Sequence, residues 1–436
     1  MTATEPTVQT GEPMHRQLWF RVLAGLVLGG FVGTLMGPDL GLMDQGIALQ
    51  IGEWLALPGR LFLTLLKFIV IPLVISSVML GICDGNDIRA IRTLGSGLVY
   101  FVITTTIAII IGFTITGLIQ PGSQIDSSQL GAVVRPDIVA PNVGGGSIPS
   151  TIVSAIPTNL VEHMVKSDML QVVIAAVIFG LALLKMPNIE GRPIVDLMRS
   201  TQQVCMTIVM WLMKFAPVVV FGLIANTVIT MGFGAISAVS LFFLTVILGL
   251  LAMIAVYMFL VSVVGGRNPV TFIRDCRDVM VLAFSTSSSS ATMPVTLRTV
   301  EEVHKIRPTV GRLVIPLGTT INMDGTAIYQ AIAALFIAQA YGIDLTTFQM
   351  VSIIVLSIAG SIGTPGIPSA GIPILAAILE SQNIPVEGIA LILGVDRLLD
   401  MSRTVINVVG DMTAAAVLDR LFGHKMEGDA APDNPA

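Results

Sequence analysis

The last apolar segment of the chain, residues 388–417, carries charged and amide side chains along one side. At about 100° per residue, a stripe of roughly 80° contains Asp396, Asp400, Arg403, Asn407 and Asp411, with Thr404 beside it. A charge at the centre of a bilayer costs about 2.5–3.5 kcal/mol on insertion scales, so several charges on one stripe should not face lipid. The stripe therefore predicts an internal polar cavity that binds a small zwitterion together with cations. The alternative is that Asp396 with Arg397, or Asp400 with Arg403, forms ion pairs that hold helices together.

The rest of the composition is that of a membrane protein. Of the 436 residues, 54% are hydrophobic and 12% are charged, whereas soluble domains carry about 25% charged residues. The mean hydropathy is +0.87, so we expect an all-α polytopic membrane protein. The net charge of −5 argues against nucleic acid as a partner. The three cysteines lie far apart, so neither a disulfide framework nor a cysteine metal site is expected.

The apolar runs predict eight membrane-spanning helices, at residues 19–36, 61–82, 96–119, 168–186, 202–231, 235–264, 314–341 and 388–417. The first span carries a small-xxx-small stripe that predicts close helix packing, formed by Gly25, Gly29, Gly33 and Gly37. Basic residues concentrate in alternate connections, which places both termini in the cytoplasm and residues 120–167 outside the cell. The expected location is the plasma membrane, or the inner membrane of a Gram-negative cell.

Two further apolar segments are interrupted in the middle. Residues 278–296 contain STSSSSAT (285–292) and have basic residues on both sides, so we expect a re-entrant hairpin that enters from the cytoplasm. Residues 348–379 contain GSIGTPGIPSAG (360–371), and because their flanks lack Lys and Arg, this hairpin should enter from outside. The seventh span is also broken, at GTTINMDGTA (318–327). Such inverted repeats with unwound backbone at mid-membrane are typical of secondary transporters.

The stripe contains the chemical groups that an acidic amino acid needs. Arg403 is a planar donor suited to a carboxylate, and Asp400, one turn earlier, can accept from an ammonium group. Thr404 and Asn407 can donate to the α-carboxylate and accept from the amine. Backbone N–H groups at the hairpin tips can hold a carboxylate as well.

A bound cation requires oxygen ligands. Asp411 and Asp324 supply formal negative charge, and Asn322 supplies an amide oxygen. The remaining ligands would be carbonyl groups of the unwound backbone around Gly318, Thr320 and Met323. A second interpretation of Asp324 is an N-cap for the helix that follows the break.

A hydrolase is a poor interpretation of these motifs. GIPSAG lacks the GxSxG spacing of a nucleophile elbow, and no histidine is placed to serve as its base. An intramembrane protease lacks its second catalytic group. We therefore expect that the protein is not an enzyme.

Four motifs in this order resemble the glutamate/aspartate family of sodium-coupled dicarboxylate and amino-acid symporters: the serine-rich first tip, NMDGT, SIGTPGIPSAG and DMSRTVINVVGD. The resemblance extends over the whole chain and is most specific after residue 280. It implies eight spans and two re-entrant hairpins in a homotrimer, with an elevator motion of a transport domain against a fixed scaffold. It also implies a division of the chain into a cytoplasmic tail (1–17), scaffold helices 1 and 2 (18–94), transport-domain helix 3 (95–120), scaffold helices 4 and 5 with the extracytoplasmic loop (121–232), the remaining transport domain (233–426) and a C-terminal tail (427–436).

The resemblance assigns roles to single residues. Substrate contacts would come from Ser289, Thr326, Ile367, Gly371, Asp400, Arg403, Thr404 and Asn407. Sodium ions would lie in three places. The first is near Asp411 with Gly318, Asn322 and Asn407, and the second is between Thr320, Met323, Ser361 and Thr364. The third is near Asp324 with Asn322, Thr104 and Thr105. Because relatives for neutral amino acids generally lack Arg403, and C4-dicarboxylate relatives generally lack Asp400, the expected cargo is L-aspartate or L-glutamate with sodium, in a protein surrounded by membrane lipid.

The chain departs from the family pattern at three positions. Ser287 and Met401 stand where members for acidic amino acids usually carry a further arginine, which bears on affinity and on ion or proton coupling. Phe101 stands where a tyrosine commonly helps the third sodium site. The alternatives are a C4-dicarboxylate carrier, a proton-coupled carrier of the same family, and an anion channel.

Overall fold

The computed structural model describes residues 18–40, 42–83, 91–125, 156–166, 169–361 and 368–430, which contain helices and no strand. The α-helices of these residues are α1 (Leu18–Met36), α2 (Gln45–Cys83), α3 (Ile91–Ile119), α4 (Leu160–Lys166), α5 (Met169–Lys185), α6 (Asn188–Lys214), α7 (Ala216–Met231), α8 (Phe233–Val263), α9 (Pro269–Asp275), α10 (Arg277–Thr286), α11 (Ser289–Arg298), α12 (Pro308–Ile321), α13 (Asp324–Ala340), α14 (Thr347–Ser361), α15 (Gly371–Ser381) and α16 (Ile389–Ala430). Below, the first hairpin means α10 with α11, and the second hairpin means α14 with α15.

Several of these helices suit a membrane. In the described part of the chain, four segments are long and apolar enough to cross one: Gln45–Cys83, Gly97–Gln124, Ile236–Val263 and Pro308–Ala340. A fifth results if the bent pair Ile189–Lys214 and Ala216–Thr230 is taken as one span. The all-helical architecture therefore fits a polytopic membrane protein, and the number of eight spans stays a prediction.

Two predicted spans differ most from the helices in the structure. The second begins at Gln45 rather than near residue 61, because α2 continues through Pro58 and includes much of the predicted loop. The predicted fifth span, residues 202–231, consists of parts of two helices that meet at 61°. Pro217 stands in the first turn of α7, and because proline has no backbone N–H, the hydrogen-bond ladder of α6 cannot continue there.

The glycine stripe of α1 is a packing surface. α1 lies along α7. A Cβ atom at Gly25 would lie 2.5 Å from the carbonyl oxygen of Pro217, and one at Gly29 would lie 2.5 Å from that of Phe221. Since real Cβ atoms do not approach so closely, the two helices can touch here only through glycine. The packing interpretation of the stripe is confirmed.

α12 and α13 lie at the centre of the protein. The apolar window of Pro308–Ala340 is 94% buried, and α13 packs against α3, α8 and α16. The helices of the first hairpin contact each other, and α10 also packs on α16. Their connection is a turn in which Ser287 has a left-handed φ of 51° and Ser288 Oγ accepts from the N–H of Ala291 at 3.2 Å. The second hairpin contacts α13 as well.

Ion pairs fasten the base of the first hairpin to the C-terminal part of α16. Arg307 Nη1 donates to Asp419 Oδ1 at 3.0 Å, and Arg267 Nη2 lies 3.9 Å from Asp419 Oδ2. Arg267 also donates to the carbonyl oxygen of His304, which follows the first hairpin. These contacts tie two connections of the chain, the one before α9 and the one after α11, to the C-terminal part of α16.

His304, buried beside these ion pairs, makes the stability of the protein depend on pH. Its ring stacks on Phe272 with centroids 4.4 Å apart. Burial first, and then the charge of Arg267, lowers the pKa of His304 to about 4, against a smaller opposite effect of Asp275. The unfolded chain takes up this proton near the ordinary pKa of about 6.5. The free energy of unfolding therefore falls as the pH decreases from about 6.5 towards 4.

Lowering the pH from 7.5 to 5 is expected to decrease the free energy of unfolding by about 2 kcal/mol through protonation of His304 in the unfolded chain. The variant His304→Gln has no proton to gain at this position, so its stability lacks this dependence on pH. The amount by which the Tm of wild type exceeds that of the variant should therefore be smaller at pH 5 than at pH 7.5. Thermal unfolding of both proteins in the same detergent at the two pH values measures this. A difference that is the same at both pH values would contradict the prediction.

Candidate functional site

The centre of the site is the break between α12 and α13, where α16 crosses it. α12 ends at Ile321 and α13 begins at Asp324, so the break predicted at residues 318–327 is confirmed. Asn322 and Met323 have non-helical backbone and are buried. Unwound backbone at this depth requires polar partners. α16 supplies one, because Asn407 Oδ1 accepts from the N–H of Gly325 at 2.8 Å.

The stripe of α16 faces this interior, as the sequence predicts. All of its members are buried: Asp396, Asp400, Arg403, Thr404, Asn407 and Asp411. Arg403 is 1% exposed, and its Nη2 donates to Asp400 Oδ1 at 2.9 Å and to Asp396 Oδ1 at 3.2 Å. Its Cζ lies 3.8 Å above the centre of the Tyr329 ring. Asp400 and Arg403 are therefore paired, as the alternative interpretation predicted, but both lie on α16, so this ion pair does not hold two helices together. Asp396 is paired with Arg403 and not with Arg397.

Arg403 nevertheless keeps unused hydrogen-bond donors. Its Nε and Nη1 are buried and have no acceptor among the described residues. Nη1 lies beside Gly371, since a Cβ at Gly371 would be 3.5 Å from Nη1 and 3.2 Å from Thr326 Cγ2. Thr326 Oγ1 accepts from Asn407 Nδ2 at 3.4 Å. Arg403, Thr326, Gly371 and Asn407, four of the predicted substrate residues, are thus brought together.

The second hairpin also contacts Asp400. The N–H of Ser369 donates to Asp400 Oδ2 at 3.1 Å, and Ser369 has a left-handed φ of 64°. Arg397 Nη1 donates to the same oxygen at 3.2 Å. The predicted residues Ile367 and Thr364 and the side chain of Ser361 lie outside the described residues.

Ser289 and Thr404 are placed differently from the residues around Arg403. Ser289 is buried at the start of α11, but none of the hydrogen bonds described above includes it. Thr404 Oγ1 donates to the carbonyl oxygen of Asp400 at 2.9 Å, within its own helix. Among the hydrogen bonds of the described residues, none joins the side chain of Ser289 or Thr404 to Arg403.

Asp324 lies at the junction of three helices. It is 0% exposed, its Oδ1 accepts from Thr105 Oγ1 of α3 at 2.6 Å, and its Oδ2 accepts from Tyr257 Oη of α8 at 2.7 Å. The N-cap interpretation of Asp324 is wrong, because the N-cap position of α13 is Met323 and has no side-chain cap. Thr104 Oγ1 donates to the carbonyl oxygen of Phe101 at 3.1 Å and also lies beside Asp324.

Asp411 lies on the other side of the break. Its Oδ1 accepts from Asn322 Nδ2 at 2.9 Å, and the same amide group donates to the carbonyl oxygen of Asn407 at 3.2 Å. Asn322 Oδ1 is buried without a donor among the described residues. A Cβ at Gly318 would lie 2.3 Å from Asp411 Oδ1. Thr320 is exposed, and its hydroxyl donates to the carbonyl oxygen of Leu317 at 2.9 Å, so its side chain is turned away from this group.

The buried carboxylates thus fall into two kinds. Asp396 and Asp400 are paired with arginine, whereas none of the ion pairs among the described residues includes Asp324 or Asp411. Both of these carboxylates have neutral hydrogen-bond partners. A buried negative charge without a cationic partner is unstable unless a cation or a proton neutralises it. The carboxylates of Asp324 and Asp411, whose partners include hydroxyl and amide groups, are of the oxygen-ligand type that suits a small cation.

Sequence reasoning missed several neighbours of these groups, namely Tyr329, Tyr257 and the backbone of Ser369, and it considered Arg397 only as a partner of Asp396 and not of Asp400. Tyr329 could have been found, because it lies three residues after Thr326 and so on the same side of α13. Arg397 lies about 60° from Asp400 around α16. Tyr257 had no such signal, since α8 is apolar around it.

Buried charges and unwound backbone between two helical hairpins define a class of protein, the secondary transporters. The chain belongs to the Sodium:dicarboxylate symporter family, whose model matches residues 18–421. It is accordingly a multi-pass membrane transporter and not an enzyme.

Curated relatives cover almost the whole chain. It is 35% identical over 415 residues to the proton/glutamate-aspartate symporter of Escherichia coli (strain K12), with 94% of each chain covered. It is 34% identical over 406 residues to the proton/sodium-glutamate symport protein of Geobacillus stearothermophilus, covering 92% of this chain and 96% of the relative. It is 31% identical over 414 residues to the C4-dicarboxylate transport protein of Verminephrobacter eiseniae (strain EF01-2), covering 94% and 91%. By their names, the first two relatives are symporters of glutamate or aspartate with protons or sodium, and the third transports C4-dicarboxylates.

Proposed function

We propose that the protein is a sodium-coupled symporter that imports L-aspartate and L-glutamate. The observation that carries this proposal is the pair of unused donors, Nε and Nη1, on the buried guanidinium of Arg403. Leaving a charged donor unpaired in the interior costs free energy. A ligand carboxylate that accepts from both atoms removes this cost and is held in a defined orientation. The side-chain carboxylate of the substrate is the group assigned to Arg403.

The amine of the substrate is assigned to Asp400. A carboxylate offers about four lone-pair positions, and Asp400 uses three of them for Arg403, Ser369 and Arg397. The remaining position can accept from an ammonium group. The α-carboxylate is assigned to Asn407 and Thr326, with Thr404 and the backbone of Ser289, Ile367 and Gly371 completing the contacts.

Sodium is the proposed coupling ion because the buried groups around Asp324 and Asp411 are hard oxygen ligands. The proposed positions are near Asp411 with Gly318, Asn322 and Asn407, near Asp324 with Asn322, Thr104 and Thr105, and between Thr320, Met323, Ser361 and Thr364. The unpaired Asn322 Oδ1 supports the first two. The Geobacillus stearothermophilus relative is named for both protons and sodium, so proton coupling is the alternative that the experiment must separate.

The proposed mechanism is an elevator motion in a homotrimer, with both termini in the cytoplasm. Residues 95–120 and 233–426 would move against a scaffold formed by residues 18–94 and 121–232. The packing supports this division, because α13 is surrounded by α3, α8 and α16, whereas α2 packs on α5, α6 and α7. Contacts between the helices of the two groups run mainly through α15 and α16, and Pro121–Gln124, at the start of the second scaffold range, packs on α13 and α8.

The decisive experiment measures uptake of radiolabelled L-aspartate and L-glutamate by proteoliposomes with an inward sodium gradient, an inward proton gradient or neither. We expect accumulation that depends on sodium. Accumulation driven by the proton gradient alone would overturn the ion assignment. A current without accumulation would indicate a channel and overturn the proposed function.

A C4-dicarboxylate carrier is the second candidate function. The observation that favours it is that three protein donors already occupy Asp400, which leaves little room for a ligand amine. One relative is named for C4-dicarboxylate transport. Uptake of succinate that an excess of L-aspartate does not inhibit would select this function.

Replacing Gly318 with alanine is expected to raise the sodium concentration for half-maximal L-aspartate uptake by about tenfold or more, because the new methyl group displaces a cation ligand. The clash is with Asp411 Oδ1 at 2.3 Å. Gly117→Ala is the matched control, since nothing lies within 4 Å of its Cβ position. An unchanged sodium dependence in Gly318→Ala would contradict the assignment of Asp411 and Gly318 to a sodium site.

A further inference from the structure

Arg397 is a second arginine at the substrate site that the motifs did not assign. It lies on α16 six residues before Arg403, and Asp400 lies between them, about 60° from each around the helix axis. Its side chain is 13% exposed. Nη1 donates to Asp400 Oδ2 at 3.2 Å, and the buried Nε has no acceptor among the described residues.

The two arginines donate to different oxygens of the Asp400 carboxylate. Arg403 Nη2 donates to Oδ1 at 2.9 Å, and Arg397 Nη1 donates to Oδ2 at 3.2 Å. Arg403 is further paired with Asp396 at 3.2 Å. The four formal charges of Asp396, Arg397, Asp400 and Arg403 therefore sum to zero. Without Arg397 the group would carry one net negative charge and would repel a negatively charged substrate.

We propose that Arg397 is a specificity-determining residue that supplies the second guanidinium group for a substrate with two carboxylates. The inference rests on the proposed function of the site. Arg403 has two unused buried donors and Arg397 has one. Arg397 would therefore join Asn407 and Thr326 in binding the second carboxylate of the ligand, so that each carboxylate has a cationic partner.

A purely structural ion pair predicts different behaviour. If Arg397 only formed an ion pair with Asp400 within α16, its removal would lower the stability of the ligand-free protein and leave the substrate affinity unchanged. If Arg397 binds a substrate carboxylate, its replacement changes KM, and the size of the change depends on the positive charge and the number of hydrogen-bond donors that the new side chain keeps. The two roles can therefore be separated by measuring affinity, turnover and stability in the same variants.

The test measures KM and kcat for uptake into proteoliposomes, and the ligand-free Tm in detergent, for wild type, Arg397→Gln and Arg397→Lys. We expect Arg397→Gln to raise KM about tenfold with kcat within about twofold, because a full charge is lost beside the ligand. Arg397→Lys should recover part of this loss, since it keeps the charge but not the planar donor. The control is Arg274→Gln, the same substitution at a side chain that is 74% exposed.

An unchanged KM in Arg397→Gln would overturn the proposal, and so would a lowered Tm and kcat at unchanged KM. The series is measured with whichever of L-aspartate and succinate the wild-type protein accumulates. If wild type accumulates succinate and no aspartate, the proposed function fails while Arg397 is still tested, because both ligands have two carboxylates.

Discussion

Replacement of Arg403 by threonine is expected to abolish uptake of L-aspartate and L-glutamate, with affinity lowered by about a hundredfold or more. The change removes the guanidinium whose Nε and Nη1 are buried without an acceptor among the described residues and whose Nη1 lies beside Gly371. It also leaves Asp396 and Asp400 without their shared partner, which adds to the repulsion of a second carboxylate. The shorter hydroxyl side chain should in turn allow uptake of serine or alanine.

Uptake of aspartate, glutamate, serine and alanine by wild type, Arg403→Thr and Arg403→Lys tests this. The lysine variant keeps the charge and loses the planar fork, so its aspartate affinity should fall between the other two. Gain of serine or alanine uptake would show that Arg403→Thr is folded. Aspartate affinity retained in Arg403→Thr would refute the role of Arg403 as the carboxylate clamp.

The polar stripe of α16 shows what the sequence can determine in a protein of this kind. Charges inside an apolar helix are costly in lipid, so the buried face of α16 and the break before Asp324 could be predicted from local pattern. The pattern gave two interpretations of Asp400 and Arg403, ion pair or substrate site. The structure contains the ion pair and still leaves two donors of Arg403 unused, so the two interpretations do not exclude each other.

The contacts between helices could not be predicted in the same way. Helical periodicity defines which side of a helix is buried but not which atoms of another helix lie opposite. Tyr257 contacts Asp324 from 67 residues away in sequence, and the Tyr329 ring lies under Arg403, although both residues read as ordinary apolar-helix tyrosines. The boundaries of α2 and the bend before Pro217 were missed because proline marks both the interior of a helix and its end.

The largest effect on ion coupling is expected from Asp324→Asn. Asp324 is 0% exposed and has two neutral partners, Thr105 Oγ1 at 2.6 Å and Tyr257 Oη at 2.7 Å. An amide has nearly the same shape and can accept from Thr105 while it donates to the Tyr257 oxygen. The substitution therefore removes the negative charge and keeps the packing and the hydrogen bonds. If this charge is balanced by sodium, its removal should abolish sodium-driven accumulation of L-aspartate.

Sodium-driven uptake and the rise in Tm caused by added sodium, each compared with equal choline, measure this effect. Asp324→Asn should lose at least about a hundredfold in uptake at low sodium, because a buried carboxylate that holds a cation contributes most of the charge of its site. Tyr257→Phe is the matched control, since it removes one hydrogen bond to Asp324 and keeps the charge, and should retain sodium dependence with a moderate loss of affinity. If Asp324→Asn kept the sodium-induced rise in Tm and the sodium dependence of uptake, Asp324 would not be a ligand of the coupling ion. Uptake that became independent of pH in this variant, with sodium dependence unchanged, would instead assign Asp324 to a proton.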